Sequence, residues 1–73
     1  MEIQRTLETR IRDHALCVRF DGGTWLVVDL GVEEVIKLED LGENPRAGSV
    51  TYRNMWGLTR TESFYLRAPM RLG

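Results

Sequence analysis

Few side chains in this chain could do chemistry, and their placement argues against most reactions. His14 and Cys17 are the only soft metal-ligand candidates, too few for the full tetrahedral set of Cys and His that a structural zinc ion takes. His14 follows Asp13 in a polar pair that reads as a turn. Ser49 and Ser63 are the serines that a nucleophile–His–acid arrangement would use, but neither lies in the glycine-flanked turn that exposes a nucleophile. Glu33-Glu34 and Glu39-Asp40 supply paired carboxylates of the kind general acid–base catalysis uses. On a short amphipathic segment, such acids are read as its solvated face. Asp21-Gly22-Gly23 lacks the Lys-Ser/Thr and the helix of a phosphate loop. Cys17 sits in an apolar alternation and reads as a small buried hydrophobe; a lone cysteine forms no internal disulfide. The expectation is a chain with no catalytic residue, no metal and no cofactor.

Recognition is better represented. Tyr52-Arg53-Asn54-Met55-Trp56-Gly57-Leu58-Thr59-Arg60 gathers Tyr, Trp, Arg and Met, the types enriched at the centres of protein interfaces. In a strand, Arg53 and Met55 share one face while Tyr52 and Trp56 share the other. Tyr52 and Trp56 then either fill the core or face a partner. In both cases Arg53 and Met55 are expected to be exposed beside Gly57, with Arg60 and Arg67 extending a positive strip. The predicted partner-binding set is Arg53, Met55, Trp56, Leu58, Arg60 and Arg67. Aromatics interleaved with arginine on a sheet also suit single-stranded RNA or DNA, provided that the rings are exposed for stacking.

The scaffold that positions this segment centres on Ala15–Leu30. Leu16, Val18 and Phe20 alternate with Ala15, Cys17 and Arg19, and Trp25-Leu26-Val27-Val28 follows the Asp21-Gly22-Gly23 interruption. This predicts a β-hairpin with a tight turn at Asp21-Gly22 or Gly22-Gly23. Either turn places Leu16, Val18, Phe20, Trp25 and Val27 on one face, and makes Trp25–Val28 a central or doubly covered strand. Ile3, Leu7 and Ile11 fit a narrow helical stripe or one face of a strand; a strand followed by an Asp13-His14 turn is favoured. Val32, Val35, Ile36, Leu38 and Leu41 form a broad stripe. With Glu33–Lys37 at i,i+4 and Gly42 beyond, a short helix over 32–41 is expected, a strand being the alternative. Gly42 to Gly48 reads as a loop, Val50–Leu58 as a strand, Glu62–Leu66 as another, and Ala68–Gly73 as a tail. The predicted fold class is α+β: one domain over 1–73 holding a small antiparallel sheet of four to five strands, open or curled into a barrel, with one helix.

Charge refines this picture. The net charge is −1, which argues against non-specific nucleic-acid binding by the whole surface. It is unevenly spread: residues 31–45 hold one Lys and five acids (−4), whereas residues 46–73 hold five Arg and one acid (+4). Arginines number nine against one lysine, and their planar guanidinium groups suit bidentate contacts. The 73-residue length, the arginine-heavy usage, and a small sheet carrying a basic-aromatic segment together resemble the small phage-encoded regulators of host RNA polymerase. That resemblance implies a protein that binds the large subunits of the bacterial enzyme near the RNA exit channel and catalyses nothing. It further implies hindrance of the σ factor, read-through at terminators and proximity to nascent RNA. The resemblance lies in size and character, so no contact residue is carried across. No stretch approaches the ~20 apolar residues of a membrane span, and Met1–Glu8 lacks the apolar core of a signal peptide. The expected setting is cytoplasmic (the host's cytoplasm, if phage-encoded), with no membrane or small-molecule partner.

Overall fold

The structure, a computed structural model, describes residues 6–42 and 46–66. Six strands run through them: β1 (Leu7–Arg12), β2 (Ala15–Phe20), β3 (Leu26–Asp29), β4 (Val32–Gly42), β5 (Arg46–Asn54) and β6 (Thr59–Leu66). They form two three-stranded antiparallel sheets, β1-β2-β3 and β4-β5-β6. The described residues contain no helix, so the α+β expectation is corrected to all-β. Ile3, Arg67 and the predicted tail over 68–73 lie outside the described residues.

The helix expected over 32–41 is the long strand β4. Its inward-leaning positions are Val32, Val35 and Leu38, while Glu33, Glu34, Ile36, Lys37, Glu39 and Asp40 are exposed. A regular strand repeats every second residue, yet here the repeat is three. The cause lies in the register against β5, which shifts between Val32 and Glu34 and again between Val35 and Lys37. Each bulge inserts a residue, so a bulged strand acquires a spacing close to that of a helix. Val32, Val35 and Ile36 are β-branched and stiff, which favours the extended chain. Lys37 pairs with Glu39 along the strand, and Glu34 pairs with Arg53 across it at 3.1 Å.

The first hairpin forms as expected. Arg12 lies opposite Ala15, and Asp13 and His14 have φ of 50° and 63°, the doubly positive geometry of a two-residue turn whose twist matches its strands. The second connection is longer. Cys17 pairs with Val27 and Val18 with Leu26, a register one residue away from that of either tight turn. A one-residue change reverses the faces. Trp25 and Val27 therefore lie with Cys17 on the face opposite Leu16 and Val18, where Cys17 is buried but Val27 is 64% exposed. β3 is a four-residue edge strand, neither central nor doubly covered. Trp25 is flanked by the guanidinium groups of Arg10 and Arg19, 4.2 and 4.6 Å from its ring centre. Arg19 also makes a two-pronged contact with Glu8.

The core lies where the two sheets meet. Leu16, Val32, Val50 and Tyr52 are fully buried there, with Val28, Val35, Leu38 and Phe64 packed around them. Phe20 and Phe64 meet at 5.6 Å between ring centres. Gly48 makes room for this: a methyl group there would stand 2.8 Å from both Leu7 and the Phe64 ring. Arg46, expected in a loop, opens β5 and clamps the sheets together. Its five N–H donors reach both carboxylate oxygens of Asp21, one of Asp40, and the carbonyls of Thr6 and Gly42. Its guanidinium also lies 5.1 Å from the Phe20 ring centre.

Candidate functional site

The segment singled out for recognition divides where β5 ends. Tyr52 points into the core, and its hydroxyl donates a 2.6 Å hydrogen bond to Asp29 Oδ2. Asp29 also accepts from the Leu30 amide, and the Tyr52 hydroxyl is the main cause that holds its carboxyl below the usual value. Burial, reinforced by the Asp29 carboxylate, pushes the Tyr52 hydroxyl up to about 12. Tyr52 is thus structural.

Asn54, Met55, Trp56, Gly57 and Leu58 form a tight hairpin end instead of continuing the strand. The Asn54 amide donates to the Leu58 carbonyl at 2.8 Å and the Gly57 amide to the Asn54 carbonyl at 3.1 Å. Gly57 has φ of 80°, the left-handed residue that completes a three-residue hairpin loop. Asn54, the one buried polar side chain among the described residues, stabilises the loop from inside. Its Oδ1 accepts from the Trp56 amide at 3.0 Å and the Leu58 amide at 2.9 Å. The Met55 amide donates to the Gly31 carbonyl at 2.8 Å, joining the loop to the β3–β4 connection.

Trp56 stands on this base. A methyl group on Gly31 would come within 2.9 Å of the Trp56 ring, so the indole rests against bare backbone while 75% of the residue stays exposed. Leu30, Met55 and Leu58 are also more than half exposed. Together they form an apolar tip in which four large side chains meet solvent. Leu30 was not expected here. Its only sequence signal is its position beside a glycine between two strands.

Among the described residues, Arg53 and Arg60 do not share one strip. Arg53 lies opposite Thr59 and Tyr52 opposite Arg60, so Arg53 and Arg60 occupy opposite faces of the β5–β6 hairpin. Arg53 is paired with Glu34, whereas Arg60 lies on the side of Tyr52 and Asp29. Arg67 is outside the described residues. The exposed aromatics are also separated: Trp56 is in the loop at one end of the hairpin, and Tyr65 pairs with Ala47 near the other.

No protein-family model, curated protein or solved structure matches this chain. The site is therefore read from its own geometry. Among the described residues no cluster of three or more His, Cys, Asp or Glu is placed to hold a metal ion. No helix among them is long and apolar enough to cross a membrane.

Proposed function

We propose that this chain is a non-enzymatic binding protein that docks on a larger protein through Leu30, Met55, Trp56 and Leu58. The exposure of Trp56 on a hydrogen-bonded loop carries this reading. A large aromatic that is both exposed and already positioned loses little conformational freedom on binding, and tryptophan is the commonest interface anchor. In its specific form, taken from the resemblance, the partner is bacterial RNA polymerase and the setting the bacterial cytoplasm. Docking there would hinder σ-dependent initiation and favour read-through at terminators by binding one state of the enzyme more tightly than another.

Single-stranded RNA or DNA is the second reading and is less well supported. Stacking along a strand needs neighbouring exposed rings, but Tyr52 is fully buried and Trp56 and Tyr65 are far apart. Titrating purified bacterial RNA polymerase, and separately a labelled single-stranded RNA, into the full chain over a range of salt distinguishes the two. The proposal expects saturable polymerase binding that changes little with salt. Binding to RNA alone, falling steeply with salt, would replace it with the nucleic-acid reading. Absence of polymerase binding would remove the transcriptional form of the proposal.

A further inference from the structure

Sheet edges invite pairing, and natural proteins blunt them with short strands, bulges, proline or charges. Three edges here are treated in such ways. β3 has four residues. β4 is broken by three shifts of register. β1 lies alongside β4. β6 differs: eight residues pair with β5 without a shift, it contains no proline or lysine, and no described strand covers its other side.

The hydrogen bonding identifies what that side presents. The Asn54 amide bonds to the Leu58 carbonyl, so by the alternation of an antiparallel ladder Leu58, Arg60, Glu62 and Phe64 turn their backbone groups toward β5. Thr59, Thr61 and Ser63 therefore turn theirs outward. Between them, exposed Arg60 and Glu62 sit two residues apart, on the face shared with Tyr52 and Val50. Inward-facing charges usually guard an edge against any strand. Two opposite charges at this spacing make the guard selective, because they complement a copy of themselves.

We infer that β6 pairs antiparallel with β6 of a second copy of this chain, with Thr61 on the two-fold axis, giving one continuous six-stranded sheet. In this register Thr59 exchanges hydrogen bonds with the partner's Ser63. Arg60 lies opposite the partner's Glu62, and Glu62 opposite the partner's Arg60. These two charge pairs occupy the non-hydrogen-bonded positions, where side chains are closest. Slipping by two residues in one direction sets Arg60 against the partner's Arg60, and in the other sets Glu62 against the partner's Glu62. Charge thus selects one register and rejects both of its neighbours.

Sedimentation velocity on the full chain, from micromolar to millimolar concentration, tests this. The wild type is expected to pass from monomer to dimer. Arg60→Glu alone and Glu62→Arg alone each turn two attractions into two repulsions and weaken the dimer by roughly tenfold or more. The double variant Arg60→Glu/Glu62→Arg restores it. Mixing the two single variants also restores it, as a mixed dimer, because each then supplies the charge the other lacks. Circular dichroism confirms that each variant keeps its sheet content. A wild type that stays monomeric throughout, single variants that associate like the wild type, or a mixture that fails to associate would each overturn the inference.

Discussion

Asn54 and Tyr52 show how one side chain fixes the position of others. Asn54 Oδ1 accepts from the Trp56 and Leu58 amides. In Asn54→Ala both donors lose their partner beneath the loop, a cost of about 1–3 kcal/mol. Chemical denaturation should register that loss, while Asn54→Asp, which keeps an acceptor oxygen, should recover most of it. Tyr52 governs the alkaline limb of stability. Its hydroxyl is held above its ordinary value, at about 12, so the folded chain retains that proton more tightly than the unfolded chain. The stabilisation is complete below the unfolded value near ~10 and is lost as pH rises through about 12. Asp29 works in the opposite direction. Its carboxyl is lowered, so its contribution is present above the ordinary carboxylate value and lost as pH falls below it. Tyr52→Phe should cost about 1–2 kcal/mol at neutral pH and flatten the alkaline limb of a melting-temperature profile. An alkaline limb unchanged in Tyr52→Phe would contradict this assignment.

The strands were legible in the sequence where their physics is local. The Asp13-His14 turn and the Leu16/Val18/Phe20 face follow from alternation and turn chemistry within a few residues. β4 was not legible, because its bulges against β5 convert a period of two into a period of three, and bulges are decided by the partner strand. The facing of Trp25 and Val27 was missed for a similar reason: a loop one residue longer than the tight alternative reverses every side chain after it. The clamp made by Arg46 was also hidden, since its partners Asp21 and Thr6 are distant in the chain. Its fork geometry matters more than its charge. Arg46→Lys keeps the charge but cannot span Asp21, Asp40 and two carbonyls at once. Hydrogen bonds to charged groups contribute about 1.5–3 kcal/mol each. A loss of ~2 kcal/mol, or roughly 10 °C in Tm for a domain of this size, is therefore expected by calorimetry. A variant that melts with the wild type would show that the clamp is dispensable.

Across the protein, the stabilising core and the proposed recognition surface fall in different regions. The core between the sheets uses Leu16, Val32, Val50 and Tyr52, and the apolar tip uses Leu30, Met55, Trp56 and Leu58. The sequence indicated the neighbourhood of this tip through its residue types. It did not separate Tyr52, which the core consumes, from Trp56, which the hairpin end exposes, because that division depends on where β5 stops. The separation can be measured directly. Trp56→Ala should leave the melting temperature within a few degrees of wild type, since the side chain is 75% exposed. It should weaken binding to RNA polymerase by at least ~2 kcal/mol, about thirtyfold. A Trp56→Ala chain that unfolds, or one that folds and binds the polymerase as tightly as wild type, would contradict the account.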